Sequence, residues 1–340
     1  MREKKEELSE KITHRRIAEE TGVAQSTVSK ALSGSEEIPT ATVDRVQAAA
    51  QRLGYYAQRQ ARRRKNTRDP YPSVALLMPE LVSWRYSTEV TAIAEEVERL
   101  GGMVRVLVTG YDSARFRIAV DQLNRTYAAD FLISYVPHSI QKNNQIPYLY
   151  TATPPDAADP LPLVGWDHGY IRQFVRAFHR AGHTEIALIS DRQSVGTVRP
   201  FRQAMEELHL AVEEDWIYQS GARLHALGRE GVRAMHFRGR MPTAILASYD
   251  DVALGALGEL RRLGYRIPED VSLAGSDGNP ATEYTTPPLA TTVLDAGVFA
   301  RRIVSRMMRV LAGETALPVQ ERLPGVLSLR GSIAPPRRKE

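Results

Sequence analysis

Residues 14–32 read HRRIAEETGVAQSTVSKAL. Ile17, Ala18, Val23, Val28, Ala31 and Leu32 recur at spacings that place them on one inner face of two short helices. Gly22 falls where the chain must turn sharply, a position that suits a residue without a Cβ. Gln25, Ser26, Thr27, Ser29 and Lys30 then lie on or near the outer face of the second helix. This is the pattern of a helix-turn-helix, whose second helix enters the DNA major groove. An ordinary helical hairpin with a polar outside satisfies the same spacing.

Charge separates the two. Residues 1–68 carry 15 Lys and Arg against 9 Asp and Glu, whereas the other 272 residues carry 30 against 31. The positive excess therefore travels with the motif, as expected of a nucleic-acid-binding head on a neutral body. A third helix is expected over Thr42–Leu53, where Val43, Val46, Ala50 and Leu53 would close a small core and Gly54 marks its end.

The chain has 340 residues and a hydrophobic content of 43%, enough for two or three domains. It has no cysteine, which excludes disulfides and thiolate chemistry. No apolar run reaches the length of a membrane span, and MREKKEELSEKI has no apolar stretch of the signal-peptide kind, so a cytoplasmic protein is expected. No cofactor motif, nucleophile elbow or phosphate loop is visible, which argues against an enzyme. His179 and His183 have i,i+4 spacing, but Gly182 should end the helix between them, so no metal site is expected.

From Ser73 onward strands alternate with amphipathic helices. Strands are expected at Val74–Met78, Met103–Val108, Phe131–Tyr135, Pro147–Tyr150, Glu185–Ser190, Ala244–Ala247 and Val271–Gly275. Helices are expected at Thr88–Leu100, Ile171–Ala181, Arg202–Leu210 and Asp251–Leu263. Asp250 and Asp251 would open the last of these and cap its N–H groups. Apolar strands joined by helical crossovers give parallel sheets covered on both faces, here as two Rossmann-like lobes with a cleft at the strand C-terminal ends.

The order I-A-x-x-T-G-V-x-x-x-T-V-S-x-A-L followed by T-x-x-x-V-x-x-A-A-x-x-L-G-Y, over Ile17 to Tyr55, resembles the headpiece of the LacI/GalR family of bacterial repressors. The resemblance continues more loosely through V-G-W-D-H-G-Y at 164–170, I-L-A-S-Y-D-D-V-A-L-G-A-L at 245–257, I-P-E-D-V-S-L-A-G-S-D at 267–277 and P-P-L-A-T-T-V at 287–293. It implies an all-α helix-turn-helix headpiece (1–57), a hinge (58–72) and an α/β two-lobed body of the type I periplasmic-binding-protein-like fold (73–340). The first lobe would be about 73–164 with 295–323, the second about 165–294 with 324–332. Function would be that of a transcriptional regulator, a repressor, bound as a homodimer to a pseudo-palindromic operator and answering to a small-molecule effector such as a sugar. An effector-independent regulator and a solute-binding protein are the alternatives.

By that resemblance Gln25, Ser26 and Lys30 read base edges, while Thr13, Thr27, Ser29 and Thr42 approach phosphates, roles that suit amide, ammonium and hydroxyl chemistry. Residues 56–72, YAQRQARRRKNTRDPYP, stand where family members carry a minor-groove hinge helix. Tyr55 and Ala61 match the hinge pattern, but Arg64 replaces the leucine that wedges between base pairs. Arg59, Arg62, Arg63 and Arg64 would hold the hinge by charge instead, or form a basic linker without order. For the effector, Asp277 matches a family ligand contact, Tyr249 stands where asparagine is common, Thr151 where some sugar binders have aspartate, and Thr197 where a sensor arginine belongs, with Arg199 two residues on. Trp84, Tyr86 and Trp166, in loops near strand ends, are either stacking platforms for a ligand or packed aromatics.

Overall fold

The computed structural model describes residues 12–33, 35, 37–55, 72–126, 128–136, 138–140, 144–152, 161–193, 196–314 and 320–337. The headpiece consists of α1 (His14–Thr21), α2 (Gln25–Ser33) and α3 (Thr40–Arg52). Thr13 caps α1, its side chain accepting from the Arg16 N–H at 3.4 Å. Gly22 ends α1 in the left-handed region at φ 68°, its N–H bonded to the Ala18 carbonyl at 2.9 Å. Ile17, Val28, Ala31, Val46, Ala49 and Ala50 are buried together and close the three-helix core. The third helix starts two residues before the expected Thr42, because the Pro39 carbonyl accepts from the N–H groups of both Thr42 and Val43.

The chain divides into two compact units. One comprises the described residues within Met1–Pro79, Ala94–Pro162 and Val304–Val319; the other those within Glu80–Ile93, Leu163–Ile303 and Gln320–Glu340. Residues 80–93, 163–164, 295–303 and 320–323 group with the second unit. In the first unit β1 (Ser73–Met78) pairs in parallel with β2 (Met103–Val108) and β3 (Phe131–Ser134), and β3 with β4 (Tyr148–Tyr150). α4 (Trp84–Arg99) follows β1, and α5 (Ser113–Thr126) follows β2.

The second unit holds the parallel pair β5 (Leu163–Trp166) and β11 (Gln320–Leu323). It also holds a four-stranded parallel sheet in the order β7 (Ile217–Ser220), β6 (Ile186–Asp191), β8 (Ala244–Ala247), β9 (Ser272–Ala274). Alternation along the strands builds two cores. Ile186, Leu188, Ala244 and Leu246 pack with α6 (Gly169–Arg180) and α7 (Val198–Glu207). Ala187, Ile189, Ile245 and Ala247 pack with α8 (Leu224–Phe237) and α9 (Asp250–Arg262). β10 (Thr291–Val293) pairs antiparallel with β12 (Val326–Ser328), and α10 (Ala296–Leu311) follows β10. β7 is absent from the expected strands, since it is a half-exposed strand at the end of its sheet with no apolar run to betray it.

α8 and α9 approach closely at two glycines. A Cβ on Gly228 would lie 2.1 Å from the Val252 carbonyl oxygen, and one on Gly255 2.2 Å from the His225 carbonyl oxygen. The buried His183 ties the C-terminal segment to the sheet, with Nδ1 3.0 Å from Thr243 Oγ1 and Nε2 2.8 Å from the Ala334 carbonyl. Both ring nitrogens are therefore engaged in structure, and burial holds the imidazole below its usual pKa.

Candidate functional site

On the headpiece, Gln25, Ser26, Ser29 and Lys30 are exposed along one side of α2, and Thr27 is half-buried beside them. Val28 and Ala31 on the opposite side are fully buried, so the core fixes which face of α2 is presented. Lys30 meets Glu37 at 2.5 Å, with both side chains more than half exposed. Such a pair is weak in water and leaves the ammonium able to move to a new partner. Thr42 is half-buried in the first turn of α3. Tyr55, the last residue of the headpiece pattern and a match to the hinge pattern, packs on the three-helix core, with its hydroxyl 2.7 Å from His14 Nε2. Arg59, Ala61, Arg62, Arg63 and Arg64 lie outside the described residues.

In the second unit, polar side chains converge at the C-terminal ends of the parallel strands, the general location for ligands in α/β sheets. Arg223, just before α8, donates to Glu80 through Nη2 (2.5 Å) and Nε (3.2 Å) and to Asp191 through Nη1 (3.0 Å). Tyr249 donates to the same Asp191 oxygen at 2.9 Å and accepts from the Leu224 N–H at 3.1 Å. Arg85 lies 3.6 Å from Glu89 and 3.7 Å from Asp277, with its guanidinium 4.6 Å from the Tyr86 ring centroid. Asp277 has φ 108°, a strained backbone for a residue with a Cβ, and its N–H is held by the Thr292 carbonyl at 3.0 Å. Burial raises its carboxyl well above the usual range, Arg85 opposes that, and Asp250, Glu89 and Asp251 add to it.

Several expected positions take other roles. Trp84 and Tyr86 lie in the first turn of α4, not in a loop. Trp166 is part of β5; its indole donates to Glu89 at 2.8 Å and stacks on Phe299 with centroids 5.0 Å apart, so it is a packed aromatic. Thr197 is buried with its hydroxyl 2.7 Å from Ser190, and Arg199 is exposed on the first turn of α7. Thr151 belongs to the first unit, where its N–H donates to the Ser134 carbonyl at 3.0 Å. Asp250 and Asp251 do open α9, but no side chain caps that helix. Asp250 instead accepts from the Asn279 N–H at 2.7 Å and from the Thr291 hydroxyl, pinning the loop that carries Asp277. Asp251 accepts from the Asn279 amide at 3.2 Å.

Thr197 carries no guanidinium, and the arginines that the structure brings to these strand ends, Arg85 and Arg223, come from other elements and are paired with carboxylates. Arg85 stands between Trp84 and Tyr86, two positions singled out from the sequence, yet neither arginine lies in a recognisable motif.

Comparison with known proteins agrees with this architecture. The model for bacterial regulatory proteins of the lacI family matches residues 13–58, and that for a periplasmic binding protein-like domain matches residues 175–333. Residues 13–58 are thus a lacI-family helix-turn-helix domain, and residues 175–333 a periplasmic binding protein-like domain. The chain is a DNA-binding regulator of transcription. It is 28% identical over 290 residues to the HTH-type transcriptional repressor PurR of Vibrio cholerae serotype O1 (strain M66-2), covering 81% of this chain and 84% of that protein. To the HTH-type transcriptional repressor CytR of Escherichia coli (strain K12) it is 24% identical over 341 residues, 98% of each. Its fold is that of the lac repressor dimer bound to operator and the anti-inducer ONPF, with TM-score 0.71, 22% identity and coverage of 96% of this chain and 100% of that one. A complex of the regulator CelR with cellobiose gives TM-score 0.69 at 24% identity, covering 94% of this chain and 99% of that one. Among the described residues no helix is long and apolar enough to cross a membrane.

Proposed function

We propose that this chain is a transcriptional repressor that binds a pseudo-palindromic operator as a homodimer, with α2 in the major groove, and that a small molecule seated among Arg85, Arg223, Tyr249 and Asp277 modulates the binding. The exposed row Gln25, Ser26, Ser29 and Lys30, backed by a fully buried apolar row, carries the DNA half of this reading. A two-fold protein calls for a two-fold site. Ligand acts only through its differential affinity for the DNA-bound and released states. Support for the effector half comes from the convergence of charged and phenolic groups at the strand ends.

The test is selection of bound sites from random duplex DNA by the purified protein at near-physiological salt. Enrichment of a palindrome with fixed half-site spacing is the expected result. Binding that fades with salt and enriches no motif would mean that the basic residues hold phosphates without reading sequence, and the repressor assignment would fall.

A further inference from the structure

The three-helix headpiece is balanced in charge. Residues 12–55 hold five Lys and Arg against five Asp and Glu, and the positive excess of the first 68 residues lies in 59–68, with six cations and no acid. General attraction to phosphate is thus supplied beside the headpiece, and a charge on the headpiece itself acts locally. Lys30 is the one cation of α2, and it stands in the exposed row. Its ammonium meets the Glu37 carboxylate at 2.5 Å. The loop that leaves α2 brings Glu37 there. The Ser35 N–H donates to the Lys30 carbonyl at 3.0 Å, the Ser35 hydroxyl accepts from the Glu37 N–H at 3.4 Å, and the Ile38 N–H donates to the Ser35 carbonyl at 3.4 Å. Ile38 in turn packs on the headpiece core. The fold therefore places the carboxylate beside Lys30, while both side chains stay more than half exposed and open to a third group.

We infer that Glu37 is a positioning residue that sets how well α2 tells bases from phosphate: it reserves the Lys30 ammonium for the neutral acceptors of a guanine edge. The inference rests on the proposal that α2 enters the major groove. An ammonium has three N–H donors. One stays with Glu37 while the others donate to guanine O6 and N7, which carry no net charge. A phosphate oxygen offers the same ammonium a negative charge, but it has to sit beside the Glu37 carboxylate, and two anions at that spacing repel. The pair is neutral as a whole, so it gains little from the potential of the duplex and releases few counterions. Binding away from the operator is penalised, and the reading of a guanine is kept.

The experiment uses the full-length protein, the operator selected as above and a random-sequence duplex of equal length, with affinities measured over a range of salt. Glu37→Gln should lower the ratio of operator to random affinity by about fivefold or more, mainly through tighter binding of the random duplex. Its salt dependence on that duplex should steepen by about one unit per headpiece, since the released ammonium now neutralises a phosphate. Glu37→Ala, which removes the carboxylate without adding an amide, should do the same. Glu20→Gln, which removes the same charge from the pair with Arg52 (2.6 Å), should raise binding to both duplexes by one factor and leave the ratio unchanged. In a Lys30→Ala background, Glu37→Gln should likewise leave the ratio unchanged, because Glu37 acts through Lys30. Melting of each variant checks that it folds. An unchanged ratio in both Glu37 variants, or an equal fall in the Lys30→Ala background, overturns the inference and leaves the repressor assignment standing. A parent protein that enriches no palindrome overturns that assignment, and the inference with it.

Discussion

Arg223 and Glu80 meet across 143 positions of the chain, with Nη2 2.5 Å from Oε1 and Nε 3.2 Å from Oε2, a two-pronged guanidinium–carboxylate pair. Glu80 stands just beyond β1 and Arg223 just before α8, so the pair fixes the segment that precedes α4 onto the sheet of the second unit. Arg223→Ala would leave Glu80 and the buried Asp191 facing each other without their cation. A loss of about 3 kcal/mol of stability is expected. Chemical denaturation of the parent and variant measures it, and a change below about 0.5 kcal/mol would show the pair to be dispensable.

Stability should depend on pH through Asp250. Burial, against the hydrogen bonds from Thr291 and Asn279, pushes its carboxyl up to about 7. The unfolded chain ionises near the ordinary value of 3.8, so the folded state binds the extra proton between the two values. The contribution is fully present below about pH 4 and is lost as pH rises through about 7. From this group alone, stability falls with rising pH by up to about 1.4 kcal/mol per unit inside that window. Asp250→Asn should flatten this dependence, which denaturant melts at pH 5, 6, 7 and 8 would record.

The headpiece offers a pair of substitutions with separable effects. Ile17→Ala empties a fully buried position in a three-helix core and should cost about 2–5 kcal/mol, enough to unfold so small a domain and abolish operator binding. Lys30→Ala removes an exposed side chain, leaves the fold intact, and should weaken binding to the selected operator by about 1–3 kcal/mol. If Lys30→Ala binds every sequence more weakly by the same factor, Lys30 contacts phosphate and not a base.

Gly228 tests the contact between α8 and α9. An added methyl would lie 2.1 Å from the Val252 carbonyl oxygen and 2.5 Å from the Ala256 nitrogen, both backbone atoms. Neither can move without displacing a helix, so Gly228→Ala should destabilise by at least about 1–3 kcal/mol even though alanine is the better helix former. Gly258→Ala, whose Cβ would meet nothing within 4 Å, is the control and should be neutral or slightly stabilising.

Much of the architecture is legible from local pattern. The helical spacing of Ile17, Val28 and Val46 specifies the headpiece core, and the apolar runs at 74–78, 186–189 and 244–247 specify central strands. β7 has no such run because one side of it is open to solvent. Trp166 is legible as an aromatic near a strand end, but its partners Glu89 and Phe299 lie 77 and 133 positions away, so its role as a packed side chain is not.

The sequence by itself determined the polar outward face of α2, the left-handed turn at Gly22 and the succession of strands and helices. Each of these depends on residues within a few turns of one another, where backbone geometry and burial periodicity act directly. Only the tertiary structure decided which charged groups of the second unit meet. Glu80, Arg85, Asp191, Arg223, Tyr249 and Asp277 come from separate segments, and whether their charges pair or repel depends on distances of a few ångströms that the chain order does not encode.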